Sequence, residues 1–250
     1  MTTHAFALLP LAPLRAAPSE RSEMVSQLLF GEAVEVLEQG AGWLHVRNAA
    51  DRYEGWVGSA QCQPIGLEEY AILSAWPYRA SSPLTPVVTS IGRLCAPMGA
   101  PLPAPRIFRM GKIYVEREGS GAQTAGEPQQ QARQLLHAPY LWGGKSLMGM
   151  DCSGLAQVAF SVCGIQLPRD ASQQATQGTP VRAMDDLSPN DLCFFSNEQG
   201  KVVHVGISLG FGQIIHASGR VRIDRVDQQG ILNAETGQYT HRLHSVRRLL

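Results

Sequence analysis

The 250-residue sequence predicts an α+β domain at its C-terminal end, preceded by one or two small all-β barrels. Short apolar stretches separated by glycines fill the N-terminal part, and such stretches are typical of strands joined by tight turns. Further along the chain, helix-like stretches come first and strand-like stretches follow, an order that indicates helices packed on an antiparallel sheet. We predict three domains, at 1–66, 67–120 and 121–250.

The first predicted barrel depends on alternating apolar residues within 28–58. Val34 and Val36 are two residues apart, as are Leu44 and Val46, and a strand places residues two apart on the same face. Glycines between these stretches favour tight turns. These glycines are Gly31, Gly40, Gly42, Gly55 and Gly58. The pattern predicts a small β-barrel for the first domain.

The second predicted domain is rich in proline, with SSPLTP at 81–86 and GAPLPAPR at 99–106. Proline lacks the N–H that a strand ladder needs, so it is confined to strand edges and loops. We therefore expect residues 69–118 to form edge strands and loops, as a second and more degenerate barrel. A joint rich in Gly, Ser and Gln follows at 119–130.

The overall charge and the cysteines limit the class of partner and the compartment. With 21 basic and 21 acidic residues the formal net charge is zero, which argues against a nucleic-acid partner and against a polybasic membrane surface. No apolar run reaches the roughly 18 to 20 residues of a membrane span. The five cysteines form no CxxC pair, so neither a disulfide framework nor a metal site is expected.

The N-terminal apolar stretch is a poor secretory signal. No Lys or Arg precedes it, and Pro10 and Pro13 interrupt it. Together with the cysteines, this favours the cytoplasm over a periplasmic or secreted location. No cofactor is expected, and the oligomeric state stays open.

The third domain contains a helix that begins beside a cysteine. A first helix is predicted from Pro128 to His137, and a second begins after Asp151 and stops at Gly164. Cys152 lies in the first turn of the second helix, where the helix dipole lowers the pKa of a thiol and makes it nucleophilic. The alternative is a small buried apolar residue, which is our interpretation of Cys163.

Two histidines downstream are candidates for a base and for the group that orients it. The stretches KVVHVGISLG and FGQIIHASG are typical of a β-hairpin. If Gly210 is the centre of the turn, His204 and His216 lie directly opposite each other, with Cβ atoms about 4.5 to 5.5 Å apart. His241 and His244 are interpreted as surface residues.

Five motifs, taken together, resemble the NlpC/P60 cysteine peptidases, which have a papain-like fold. The motifs are PYLWGG at 139–144, DCSG at 151–154, LPRD at 167–170, VHVG at 203–206 and IHA at 215–217. The resemblance implies Cys152 as nucleophile, His204 as general base and later acid, and His216 as the group that orients His204. It also implies that Tyr140 positions the substrate or stabilises the oxyanion.

The N-terminal domains resemble bacterial SH3 domains, through LFGE at 29–32 and DRYEGW at 51–56. A narrower resemblance is to γ-D-glutamyl-diamino-acid endopeptidases, in which the first barrel closes one end of the active site. It implies a murein tripeptide or tetrapeptide substrate with a free N-terminal L-Ala. The residues implied to hold the free amine are Glu23, Tyr53, Asp151 and Asp170, with Ser153 nearby.

Alternatives remain for these residues and for the function. Tyr53 could be barrel core, Glu23 a solvated surface residue and Asp170 a turn residue. A papain-like amidase or acyltransferase is an alternative enzyme, although permuted members place His before Cys. A non-catalytic wall-binding module is the other alternative. The expected reaction is cleavage of the γ-D-glutamyl to diamino-acid bond in cell-wall recycling, with diaminopimelate or lysine as the third residue.

Overall fold

The computed structural model describes residues 3–76, 78–103, 107–117, 126–182 and 184–250. It divides into two compact units, the first formed by Met1–Ala125 and Trp142–Lys145, the second by Gly126–Leu141 and Ser146–Leu250. The three domain boundaries stay a prediction, and residues 119–125 of the predicted joint lie outside the described residues. Among the described helices, none has the length and apolar character needed to cross a membrane.

The first unit contains the antiparallel strands predicted for its N-terminal part, in the order β3-β2-β6-β5-β4-β1-β7. In β5, Leu44, Val46 and Asn48 are buried, and the residues between them are half-buried. Ala41 and Gly42 both have positive φ, as a two-residue hairpin turn requires. The strands are β1 (His4–Ala7), β2 (Leu11–Arg15), β3 (Met24–Leu29), β4 (Ala33–Gly40), β5 (Trp43–Asn48), β6 (Glu54–Gly58) and β7 (Cys62–Ile65).

A helix and a second antiparallel sheet complete this unit. The helix α1 (Leu67–Ser74) was not predicted, while the sheet agrees with the expected strands. Pro86 lies in β8, where it pairs with Cys95 of β9, and the described pairing of β8 with β11 covers Val87, Val88 and Thr89. The strands are β8 (Leu84–Thr89), β9 (Gly92–Pro97), β10 (Ile107–Met110) and β11 (Ile113–Arg117). Their order in the sheet is β10-β11-β8-β9.

One hydrophobic core joins both sheets of the first unit. Phe6 on β1 and Phe30, the residue directly after β3, contact a cluster that includes Trp76, Val87 and Val115. All five side chains are almost completely buried, and each such burial contributes about 1.5–3 kcal/mol. The two sheets therefore share this core, while the first sheet also encloses a separate core that includes Leu14, Val46 and Val57.

The second unit places its helices before its main sheet, as predicted. The helices are α2 (Pro128–Arg133), α3 (Cys152–Val162) and α4 (Ala171–Gln174). The predicted end of α2 at His137 is wrong by four residues, because the His137 amide leaves the helix and donates to the Val221 carbonyl. The prediction for α3 is confirmed, since Asp151 caps it and Gly164 follows it with φ +85°.

The main sheet has seven strands in the order β14-β20-β15-β16-β17-β18-β19. Because β19 also pairs with β20, the six strands from β15 to β20 close into a barrel. This part is sheet-rich, so the α+β prediction is confirmed only in part. The seven strands are β14 (Thr179–Val181), β15 (Leu192–Ser196), β16 (Val202–Gly210), β17 (Gln213–Ser218), β18 (Arg220–Val226), β19 (Gly230–Leu232) and β20 (Tyr239–Arg248). Two short strands, β12 (Lys145–Ser146) and β13 (Gly149–Met150), pair separately.

The predicted register of the β16–β17 hairpin is wrong by two residues. Phe211 and Gly212 form the turn, both with positive φ, and the register shifts between Ser208 and Gly210. His216 consequently pairs with Gly206 and not with His204. A shift of two residues preserves the face of each side chain, so the histidines still share one face of the sheet.

Candidate active site

Cys152 is the first residue of α3 and is 8% exposed. The backbone amides of Val205 and Ser153 hydrogen-bond to its thiol and favour the thiolate, as does the charge of Arg169. Burial and the Asp151 carboxylate outweigh them and raise the pKa of the thiol to about 11. The expected lowering of this pKa is therefore wrong, and the resting group is a thiol that needs a base.

His204 lies in β16, directly before the Val205 amide that contacts the thiol. Its Nε2 atom is 2.9 Å from Nδ1 of His216. Burial, together with the neighbouring imidazoles of His216 and His241, lowers the pKa of His204 well below its usual value. His204 is thus a neutral imidazole at pH 7, with one ring nitrogen able to accept a proton.

His216 has a second partner, Asp224 on β18, which the sequence analysis missed. Its Nε2 atom is 3.0 Å from Oδ2 of Asp224, and both residues are buried. Burial raises the pKa of Asp224, but hydrogen bonds from His216, the Ala234 amide and Arg222 outweigh it and hold this pKa well below its ordinary value. The carboxylate is therefore ionised and can only accept hydrogen bonds.

These hydrogen bonds determine which ring nitrogen carries the hydrogen in His216 and in His204. Because Asp224 accepts, His216 carries its hydrogen on Nε2, and in a neutral ring its Nδ1 is then an acceptor. His204 must donate from Nε2 to that atom. The free lone pair of His204 is consequently on Nδ1, which is the state a general base requires.

Tyr140 lies in the same unit and is 38% exposed. Burial, and then the negative charge that Cys152 or Asp151 would carry, raises the pKa of its phenol to about 12. The hydroxyl is thus a hydrogen-bond donor within electrostatic reach of Cys152. Its role at an oxyanion stays a prediction.

A buried ionic network organises the first turn of α3. Asp151 accepts two hydrogen bonds from Arg169, at 3.1 and 2.6 Å, and one from the Gly154 amide at 2.7 Å. Ser153 Oγ accepts from Arg169 at 2.8 Å and is 3.3 Å from Asp151. Gln174 donates to the Ser153 carbonyl at 3.1 Å. Sequence reasoning missed Arg169, although it stands within the LPRD motif.

The other predicted amine ligands are divided between the two units. In the first, exposed Glu23 accepts a 2.7 Å hydrogen bond from the Trp142 indole, and Tyr53 packs half-buried on the barrel core. In the second, half-buried Asp170 precedes α4, and its amide donates to Gln173. That these residues and Asp151 hold one amine stays a prediction.

His241 is not the surface residue that was predicted. It is partly buried on β20, and its ring stacks on that of His204 with a centroid distance of 4.2 Å and an interplanar angle of 26°. His244 is exposed, as expected.

Cys163, expected in the core, is only half-buried. Over the described residues, no group of three or more His, Cys, Asp or Glu side chains is arranged to hold a metal ion.

Comparison with known proteins agrees with these motifs. A model described as "NlpC/P60 family" matches residues 137–243, and one described as "Bacterial dipeptidyl-peptidase Sh3 domain" matches residues 14–61. A gamma-D-glutamyl-L-lysine dipeptidyl-peptidase of Bacillus subtilis is 31% identical over 218 residues, which cover 77% of this chain and 71% of that protein. The chain belongs to the NlpC/P60 family.

Other relatives extend the similarity beyond the NlpC/P60 domain. The dipeptidyl-peptidase 6 of Lysinibacillus sphaericus is 28% identical over 261 residues, covering 90% of this chain and 93% of that protein. A crystal structure of an NlpC/P60 family protein from Bacillus cereus has a TM-score of 0.78 at 21% identity, covering 98% and 99% of the two chains. This chain thus combines an NlpC/P60 domain with a bacterial SH3 domain of the dipeptidyl-peptidase type.

Proposed function

We propose that this chain is a cysteine peptidase that cleaves the γ-D-glutamyl to diamino-acid bond of murein peptides with a free N-terminal L-Ala. The relatives named as dipeptidyl-peptidases support a peptidase that acts on peptidoglycan peptides. The observation that carries the cysteine mechanism is the hydrogen-bonded series His204, His216 and Asp224, on the strands beside Cys152.

The mechanism follows from the protonation states. His204 Nδ1 takes the proton of the Cys152 thiol as sulfur attacks the γ-carbonyl carbon, so no free thiolate is needed beforehand. The oxyanion would be stabilised by a backbone amide at the start of α3 and by the Tyr140 hydroxyl. His204 then protonates the leaving amine as its C–N bond breaks. Water, deprotonated by His204, then attacks the thioester carbonyl carbon. The C–S bond breaks, His204 returns the proton to the Cys152 sulfur, and L-Ala-D-Glu is released.

Recognition of the free N-terminal amine would determine which peptides are cleaved. A free ammonium group would be paired with the predicted carboxylates Asp151 and Asp170 of the second unit, and an N-acylated peptide would lack that charge. We also propose a role in recycling cell-wall peptides in the cytoplasm. That location is supported by the sparse cysteine pattern.

The test is to incubate the protein with L-Ala-γ-D-Glu-diaminopimelate, the corresponding lysine peptide and the N-acetylated form of each. We expect release of L-Ala-D-Glu from a free peptide, at least tenfold slower cleavage after acetylation, and no turnover by Cys152→Ala. Equal rates for free and acetylated peptides would remove the amine recognition. Full activity of Cys152→Ala, or no cleavage of any peptide, would remove the peptidase mechanism.

A further inference from the structure

The imidazole of His204 contacts two other rings of its barrel, and these two rings also contact each other. His241 stacks on it at 4.2 Å, and Phe195, on the adjacent strand β15, lies 5.8 Å away at 49°. His216 meets it edge-on at 90° through the Nε2–Nδ1 bond. That bond restrains one nitrogen of His204 but leaves rotation about the bond direction open. A face-to-face neighbour restrains this remaining rotation.

His241 is itself held in place. Its Nδ1 atom is 2.8 Å from the Thr240 hydroxyl, and its backbone pairs with Ile231 on β19. The ring also lines a cleft of about 560 Å³ with five other polar residues and Leu243. The polar residues are Gln228, Gln229, Tyr239, Thr240 and Arg242. His241 therefore lines this cleft and also contacts His204.

Charged and titratable groups face His241 from several strands. His204 and His216 approach it from β16 and β17, and Asp224 acts on it from β18. Arg242 follows it on β20, and Tyr239 shares its cleft. Burial and then His216 lower the pKa of His241 to about 4, against the opposite effect of Asp224. The stacked ring is consequently uncharged at neutral pH.

An uncharged aromatic ring suits a base that becomes a cation during the reaction. The flat face of a neutral imidazole can contact an imidazolium, whereas a second positive charge at 4.2 Å would oppose its formation. On the basis of the function proposed above, we propose that His241 is a positioning residue that holds the plane of the His204 ring for proton transfer with Cys152.

The test compares three variants. His241→Ala removes the ring, His241→Phe keeps an aromatic ring that cannot be protonated, and His244→Ala changes an exposed histidine of the same strand. We expect His241→Ala to lower kcat about tenfold or more with KM within twofold of wild type, and His241→Phe to restore most of kcat. His244→Ala should match wild type. Thermal unfolding of each variant shows whether it is folded.

The pH profile separates positioning from a merely structural role. Two adjacent imidazoles resist simultaneous protonation, so removing His241 lets His204 bind a proton more readily. The acid limb of kcat/KM should therefore move to higher pH in His241→Phe and stay unchanged in His244→Ala. Wild-type kcat in a folded His241→Ala, or equal losses in the Ala and Phe variants, would overturn the proposal.

A second measurement does not depend on any peptide substrate. Alkylation of Cys152 by iodoacetamide, followed by peptide mapping, reports the ability of His204 to accept the thiol proton. The pH dependence of this rate should change in His241→Ala and not in His244→Ala. If wild type cleaves no murein peptide but this difference is present, the proposed substrate fails and the role of His241 stands. If both variants alkylate like wild type, the role of His241 fails.

Discussion

Asp224 holds His216 through a 3.0 Å bond between Oδ2 and Nε2, across the adjacent strands β17 and β18. Arg222, two residues earlier, contacts the same carboxylate and keeps it ionised. The proton on His216 is therefore directed to Asp224, and the orientation of His204 follows from it. Asp224 is thus a fourth residue of the candidate site, beyond the Cys152, His204 and His216 that the motifs indicated.

Substitution of Asp224 tests whether the carboxylate sets this proton order. In Asp224→Asn, the amide can donate to His216 and reverse its tautomer, so His204 would present the wrong nitrogen to the thiol. We expect kcat/KM to fall by about 10²–10⁴, comparable to the loss when the carboxylate of a serine-protease triad is replaced by an amide. Asp227→Asn, beyond the end of β18, should retain wild-type kcat/KM.

The Cys152 thiol should show no preformed thiolate in the free protein. The pKa of this thiol is about 11. At any pH below that value, raising the pH by one unit increases the thiolate fraction about tenfold. The rate of iodoacetamide modification of Cys152 should increase accordingly from pH 7 to pH 9. A rate that is already constant between pH 6 and pH 8 would show a stable thiolate–imidazolium pair and contradict the general-base mechanism.

The Arg169–Asp151 pair should be essential for the stability of the second unit. Both residues are buried, so removing one partner leaves an uncompensated charge and costs about 3–5 kcal/mol. We expect a large drop in the urea midpoint of Arg169→Met and a smaller one when Asp151→Asn is added. Arg220→Met removes an exposed pair with Glu235 and should cost about 1 kcal/mol or less. Equal midpoints for the two arginine variants would be inconsistent with this role.

Acid should destabilise the protein partly through His204. Its folded pKa lies well below that of the unfolded chain, so the unfolded state binds the extra proton as the pH falls below about 6.5. One such proton lowers the free energy of unfolding by up to about 1.4 kcal/mol per pH unit. Urea titrations between pH 7 and pH 5 should give a flatter dependence for His204→Gln. Exposed His244→Gln should keep the wild-type slope, and an unchanged slope in His204→Gln would refute the argument.

The elements that depend on local patterns were predicted best. The cap at Asp151, the stop at Gly164 and the apolar repeat between them are neighbours along the chain, and the structure places α3 between these residues. The hairpin register was wrong because the positive φ of Phe211 cannot be inferred from a residue type that rarely adopts it. Helix α1 was missed within a proline-rich segment whose sequence indicated only strands and loops.

Some residues of the candidate site could be predicted from sequence motifs, and others were found only in the tertiary structure. Cys152, His204 and His216 stand in short motifs, and their order along the chain was enough to select them. Asp224 and His241 stand in no motif that was recognised. Alternation along VRIDRV places Asp224 on the same face as Arg222 and opposite Val221 and Ile223, so the pattern gave no signal that this carboxylate is buried.

The sequence by itself determined which residues begin and end α3 and which side chains could carry nucleophilic chemistry, because capping and periodicity act over a few residues. Only the tertiary structure decided the proton order from Asp224 to His204, the ring stacked by His241 and the high pKa of Cys152. Closure of β15 to β20 brings together residues far apart in the chain. Desolvation and charge then depend on that full environment, which no short motif contains.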